Sequence, residues 1–156
     1  MPRSESRPKP KRSVKPVVET RVAVTIPSEA AYVRVVRLAL TGVAAQLDFS
    51  FDEIEDVKLA VSEACNNAIR HAGGANGDGQ VLVECFTSPQ RLRVCVQDHG
   101  PGMPARAAKR RTRPSPPGES GLGLYLMQSL MDEVNVQGTP GVGTRVELVK
   151  YVTRHA

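Results

Sequence analysis

The chain has 156 residues, enough for one domain with a substantial buried core. It contains no run of 18 or more apolar residues, which excludes a membrane-spanning helix, and no apolar segment of a secretion signal follows its basic N-terminus. Residues 1–16 account for the whole formal net charge of +5, with six basic residues against one acidic residue. We therefore expect a disordered, basic, proline-rich tail over 1–16 and a neutral folded domain over 17–156.

Two further classes of function are disfavoured by composition. The tail lacks aromatic side chains that would stack on bases, so we do not expect direct nucleic-acid binding, although contact with an acidic partner stays open. The three cysteines, Cys65, Cys85 and Cys95, lack the spacing of metal ligands. They are predicted to be reduced, buried thiols in a cytoplasmic protein.

The first elements are indicated by local patterning. Residues 17–26 are β-branched and alternating, which predicts a strand that ends at Pro27. Ser28 is a candidate cap for the first helix, whose apolar residues recur at helical spacing as far as Leu47.

The second helix has the clearest start signal in the chain. Ser50 and Glu53 have the spacing of a capping box, and the helix is predicted to run to about Ala72, before a glycine-rich loop over 73–79. The remaining predicted elements are strands near 80–87 and 91–98, a helix from Gly121 to about Asp132, and strands near 133–138 and 143–151. This order predicts an α+β fold, a two-layer α/β sandwich with a mixed, mostly antiparallel sheet covered by helices on one face.

Three polar residues of the second helix share one stripe. Glu63, Asn67 and His71 are spaced i, i+4, i+8, beside the apolar stripe, which places them at the edge where the helix and sheet layers part. A glutamate there can take a proton from an attacking hydroxyl, and an amide oxygen can bind Mg²⁺ without cancelling its charge. An ordinary polar helix flank is the alternative explanation.

Asp98 ends a predicted strand and shares its inward face with the apolar residues before it. A buried carboxylate requires hydrogen-bond donors, and the exocyclic amine of adenine would be one. Gly100 and Gly102 would let the backbone pass close to a ligand, although a simple turn explains them equally well. Thr144 also points inward, either as a ligand contact or as a structural cap.

A helix start with small residues suits phosphate. Gly121 and Gly123 leave the first amides of their helix unobstructed. The preceding residues 103–120 have no apolar periodicity and carry five basic residues against one acidic residue, which is typical of a mobile lid over phosphate. A flexible hinge and a solvated loop are the simpler alternatives.

Taken in order, these motifs resemble those of the GHKL ATPase superfamily, named for gyrase, Hsp90, histidine kinases and MutL. Within it, the chain is most similar to the small bacterial anti-sigma-factor serine kinases of the RsbW type, over 22–151 and most specifically over 61–72, 121–134 and 141–144. The resemblance implies a Bergerat-type ATP site with Glu63 as general base and Asn67 as the Mg²⁺ ligand. The ATP-binding residues that it implies are Asn67, His71, Asp98, Gly100, Gly102, Met103, Gly121, Leu122, Gly123, Leu124 and Thr144.

The same resemblance implies a function. Such proteins use ATP and Mg²⁺, bind a sigma factor, and phosphorylate a serine or threonine of an antagonist with the STAS fold; a homodimer in the cytoplasm is also implied. An ATP-binding regulatory module that sequesters partners without phosphotransfer is the alternative, and Glu63 argues against it because pure binding needs no base. A sensor histidine kinase would need a helical dimerisation segment, whereas a proline-rich tail precedes this domain.

Overall fold

The structure is a computed structural model that describes residues 16–72, 79–99 and 121–153. Most of the predicted tail, most of the glycine-rich loop and the predicted lid lie outside these ranges. In the described ranges no helix is both long and apolar enough to cross a membrane.

The described elements form two layers. In chain order they are β1 (Thr20–Pro27), a short 3-10 helix (Ala30–Tyr32), α1 (Val33–Ala44), α2 (Phe51–Ala72), β2 (Gln80–Ser88), β3 (Arg91–Asp98), α3 (Leu122–Leu130), β4 (Glu133–Thr139) and β5 (Gly143–Tyr151). The strands make one sheet in the order β1-β2-β3-β5-β4, and the helices cover one of its faces. The predicted α+β sandwich is confirmed, and every described strand pairing is antiparallel.

The core lies between the helices and the inward face of the sheet. Alternate residues of β2 and β3 are buried there, for example Val83 and Val94, and Leu40 of α1 and Val61 of α2 pack from the other side. Burying one such side chain fully contributes about 1.5–3 kcal/mol. Because β3 keeps this alternation to its last residue, it delivers Asp98 to the inward face.

The capping box at the start of α2 is confirmed. The Glu53 side chain accepts a hydrogen bond from the Ser50 backbone N–H at 2.7 Å, and the Glu53 N–H donates to the Ser50 hydroxyl at 3.2 Å. These reciprocal bonds satisfy amides that have no partner within the helix. They fix where α2 begins, and therefore which of its residues face the sheet.

The start of the first helix differs from its prediction. The Ser28 hydroxyl is buried and has no hydrogen-bond partner in the described part of the chain, so Ser28 does not cap a helix. Its backbone N–H instead donates to the oxygen of Gly79 at 2.9 Å, which keeps Ser28 attached to the sheet. The chain then makes the 3-10 helix, and α1 begins only at Val33.

The outward face of the sheet carries ion pairs. Glu19, just before β1, accepts hydrogen bonds from Arg93 at 2.7 Å and from Arg91 at 3.0 Å. The hydrogen bond from Arg93 is the main reason why the pKa of the Glu19 carboxyl is lowered. Arg93 also lies over the ring of Phe86, 4.1 Å from its centre. This face is therefore covered by paired charges, while the inward face holds the apolar core.

Candidate functional site

A cavity opens between α2, α3 and the ends of the central strands, and we call it the layer cavity. Its lining residues are Ala64, Asn67, Ala68, His71, Val96, Asp98, Leu124, Met127, Val136, Thr144 and Val146. Five of the residues predicted to bind ATP meet here: Asn67, His71, Asp98, Leu124 and Thr144. All the other lining residues are apolar. Such a lining suits a flat ring system that makes a few polar contacts.

The carboxylate of Asp98 is held in place by β5. Asp98 is only 3% exposed, and its Oδ1 accepts a hydrogen bond of 3.1 Å from the backbone N–H of Thr144. A buried carboxylate needs such donors, and it favours a ligand that brings another N–H group. An exocyclic amine on an apolar ring, as in adenine, fits both the carboxylate and the apolar walls.

Gly143 makes this approach of β5 to Asp98 sterically possible. Its φ is +133°, and a Cβ atom at this position would overlap the backbone oxygen of Asp98. Any other residue would therefore push apart the two strands that support the carboxylate. The family resemblance singles out residues 141–144, but the sequence did not reveal this contact.

Glu63 and Asn67 lie under the start of α3. A Cβ atom at Gly123 would lie 3.2 Å from Oε2 of Glu63 and 3.3 Å from Nδ2 of Asn67. The sequence predicts that Gly123 serves phosphate binding by leaving the amides of the helix start free. In the structure the lack of a side chain at Gly123 also lets α3 pack closely on the predicted base Glu63 and the predicted Mg²⁺ ligand Asn67.

Arg70 contacts the site although it was not among the residues predicted from the sequence. Its guanidinium Nη2 donates a hydrogen bond of 2.7 Å to Oδ1 of Asn67, the oxygen predicted to bind Mg²⁺. The i, i+3 spacing on a helix would have predicted that these side chains meet. Within the described residues no cluster of three His, Cys, Asp or Glu side chains is placed to hold a metal. A single protein oxygen such as that of Asn67 is compatible with Mg²⁺, because this ion usually keeps several waters and takes its other ligands from substrate phosphates.

A second, more open cavity lies on the other flank of α2, and we call it the flank groove. Its lining residues are Ala30, Glu63, Asn66, Ile69 and Arg70. Glu63 thus lines the flank groove, while Asn67, one turn further on, lines the layer cavity.

The other residues predicted to bind ATP do not line the layer cavity in the described part of the chain. Gly121 is the residue before α3 and accepts a hydrogen bond from the Tyr125 N–H at 3.1 Å. Leu122 is 53% exposed and lines neither cavity. Gly100, Gly102 and Met103 lie outside the described residues. The layer cavity also has an apolar lining from α3 and β4, Met127 and Val136, which the sequence did not predict. Apolar residues carry no sequence signal that separates a cavity wall from a core.

The fold agrees with a comparison against known families. Residues 26–150 match the family described as the histidine kinase-like ATPase domain. The chain belongs to this family. The match includes the three helices, β2, β3, β4 and nearly all of β5, but only Ile26 and Pro27 of β1. All residues that line the layer cavity lie within it.

Curated relatives are similar over most of their length. The chain is 42% identical to a serine-protein kinase RsbW of Bacillus velezensis over 84% of this chain and 85% of the relative. It is 40% identical to RsbW of Bacillus subtilis over the same shares, and 35% identical to RsbW of Listeria monocytogenes over 85% of this chain and 87% of the relative.

Solved structures support the fold. A Mycobacterium tuberculosis structure with RsbU and RsbW domains has a TM-score of 0.64 at 21% identity; the similarity spans 88% of this chain and 34% of that longer chain. The catalytic domain of histidine kinase ThkA has a TM-score of 0.55 at 15% identity, over 83% of this chain and 95% of that domain. At such identities these similarities concern the architecture alone.

Proposed function

We propose that this chain is an ATP-dependent serine/threonine protein kinase and an anti-sigma factor of the cytoplasm. It binds a sigma factor and transfers phosphate to a STAS-type antagonist of that binding. Two findings support the enzyme class: the chain belongs to the histidine kinase-like ATPase family, and relatives at about 40% identity carry the name serine-protein kinase. The observation that carries the proposal is the buried Asp98 carboxylate in a cavity whose α2 wall bears Asn67, one turn from Glu63.

The residues present fit a magnesium nucleotide. The apolar lining receives adenine, and Asp98 accepts a hydrogen bond from its amine while Thr144 holds the carboxylate in place. Asn67 provides an amide oxygen for Mg²⁺, which neutralises phosphate charge when bound. His71 lies at the exposed edge of the same cavity.

Phosphate transfer requires a base on the acceptor side. The hydroxyl oxygen of the acceptor serine or threonine forms a bond to the γ-phosphorus while the bond from that phosphorus to the β–γ bridging oxygen breaks, and ADP leaves with the electron pair. The carboxylate of Glu63 takes the hydroxyl proton. A base of this kind contributes typically ~10²–10⁴ in rate.

The test combines binding with transfer. The full chain is incubated with γ-labelled ATP, Mg²⁺ and purified STAS-domain proteins from the same genome, and nucleotide and sigma-factor binding are measured by calorimetry. We expect label on a serine or threonine of at least one STAS protein, and tight sigma-factor binding. Tight binding without any transfer would support instead a sequestering module, and the absence of any heat with ATP and Mg²⁺ would contradict both.

A further inference from the structure

Helix α2 presents two different arcs on either side of Glu63. At about 100° per residue, the layer-cavity residues Asn67, His71, Ala64 and Ala68 lie roughly 40–140° to one side. The flank-groove residues Arg70, Asn66 and Ile69 lie about 20–120° to the other side. Glu63 therefore stands on the boundary between two separate cavities.

The position of Glu63 decides from which side an acceptor can arrive. A general base must be within hydrogen-bond reach of the hydroxyl that it deprotonates. The layer cavity is the nucleotide site, so the acceptor has to approach Glu63 from outside it. The flank groove is the described cavity that Glu63 itself lines, and it is open to solvent.

The other groove walls are suited to an extended polypeptide. Asn66 and Arg70 carry side-chain N–H donors, which match the carbonyl oxygens of a backbone. Ile69 and the exposed Ala30 add a small apolar surface for a neighbouring side chain of that segment. A segment seated there would bring its hydroxyl to the boundary residue Glu63.

Arg70 links the groove to the metal-binding oxygen. Arg70 lines the groove, and its guanidinium donates to Oδ1 of Asn67 at 2.7 Å. A guanidinium and Mg²⁺ that share one oxygen repel each other, so a cation bound at Asn67 would displace Arg70 from this bond. The donors of Arg70 would then be available to a segment in the groove.

We propose that the flank groove binds the extended segment of the acceptor protein that carries the phosphorylated serine or threonine. Asn66 and Arg70 are positioning residues that donate to its backbone carbonyls, and Mg²⁺ at Asn67 makes Arg70 available for this task. The proposal rests on the kinase function proposed above and assigns the partner's place at the same site.

The experiment measures the KM for a STAS-domain protein that the wild-type chain phosphorylates, together with the Kd for ATP. Ala30→Tyr fills the groove and should raise the acceptor KM at least about tenfold; Asn66→Ala removes a donor and should raise it about threefold to tenfold. The Kd for ATP should stay within about twofold in both variants, because neither residue lines the layer cavity. Gln46→Ala, an exposed amide beyond the far end of α1, is the matched control and should change neither constant.

Arg70→Ala provides a readout that a merely structural role would not give. Without Arg70 the Asn67 oxygen is free, so the Mg²⁺ concentration needed for half-maximal thermal stabilisation by ATP should fall about threefold to fivefold without acceptor. The acceptor KM should rise in the same variant, and Arg70→Lys should restore part of it.

Three outcomes are distinguishable. Unchanged acceptor KM in both Ala30→Tyr and Asn66→Ala overturns the groove assignment while the kinase function stands. An unchanged or higher Mg²⁺ requirement in Arg70→Ala overturns the role of Mg²⁺ in releasing Arg70. Failure of the wild-type chain to label any STAS protein overturns the proposed kinase function, and the groove assignment with it.

Discussion

Gly143 lies so close to Asp98 that a Cβ atom added to the glycine would overlap the aspartate's backbone oxygen. We therefore expect Gly143→Ala to lower the free energy of unfolding by about 3 kcal/mol, because it combines this overlap with a φ of +133° that L-residues avoid. Nucleotide affinity should fall as well, since Asp98 is displaced. Urea unfolding and an ATP titration measure the two effects.

Gly42→Ala is the matched control for this substitution. Gly42 lies inside α1, and a Cβ atom there would meet nothing within 4 Å. Because alanine favours the helix, the control should raise the free energy of unfolding by about 0.5–1 kcal/mol. Equal destabilisation by both substitutions would contradict the special role of Gly143.

Asp98→Asn should weaken ATP binding by about 2 kcal/mol, or roughly 30-fold. The Thr144 N–H fixes one oxygen of Asp98, so an asparagine would keep its amide oxygen there and turn its NH₂ group toward the adenine amine, donor against donor. Asp132→Asn is the control, since Asp132 also accepts a backbone N–H from β5, that of Tyr151 at 2.7 Å, but lies outside the layer cavity. Near-normal ATP affinity of Asp98→Asn in calorimetry would argue against adenine at this position.

Glu63→Gln should leave ATP affinity within about twofold and reduce the rate of phosphate transfer by about 10²–10⁴. The amide keeps the volume of the side chain beside Gly123, 3.2 Å from where a Cβ atom would lie, but it cannot take a proton. Single-turnover transfer and calorimetry separate the two steps. Equal losses of binding and transfer would indicate that Glu63 is structural.

The ion pairs of Glu19 predict an acid-sensitive part of the stability. Arg93 and Arg91 lower the pKa of the Glu19 carboxyl below its ordinary value of 4.5, so their stabilisation is fully present above 4.5 and is lost as the pH falls through the lowered value. Glu19→Gln should therefore cost about 1 kcal/mol at pH 7, and the difference from wild type should shrink below pH 4.5.

The control for Glu19 is Glu29→Gln, an exposed glutamate before the 3-10 helix that makes no capping hydrogen bond there. Glu29→Gln should change the free energy of unfolding very little, both at pH 7 and below pH 4.5. A difference between wild type and Glu19→Gln that stays constant down to pH 3 would rule out this linkage.

The cysteines should be unreactive in the folded protein. All three are buried and free, and burial raises the pKa of Cys65 to about 12 and of Cys85 to about 11. Burial also raises the pKa of the Cys95 thiol. Because the thiolate is the reactive form, a thiol reagent at pH 8 should label the native chain slowly and label three thiols in urea. Rapid labelling of the native chain would show that one thiol is accessible.

The sequence predicted those features that local chemistry decides. The capping box of Ser50 and Glu53 and the alternation that carries Asp98 inward depend on residues close in the chain, and both are present. The match to the histidine kinase-like ATPase domain also confirms the predicted membership of the GHKL superfamily. The roles of Glu63 and Asn67 stay predictions, although the structure places both beside Gly123.

What the sequence did not predict depends on distant segments. Ser28 does not cap a helix: its backbone N–H donates to Gly79, which is far along the chain, and the first turn is a 3-10 helix that begins after Glu29. The requirement for Gly143 likewise arises from the end of β3, a different strand. The bond between Arg70 and Asn67 is the exception, since it is local and the i, i+3 spacing on a helix is enough to bring the two side chains together.

The boundary position of Glu63 has a consequence for how such proteins diversify. One helix presents the wall of the layer cavity along one arc and the flank groove along the other, and the two sets of side chains do not overlap. With the flank groove as the proposed acceptor site, substitutions at Asn66, Ile69 or Ala30 would change which protein is phosphorylated while the nucleotide site stays the same. Selectivity among acceptor proteins would then be determined largely on one side of α2.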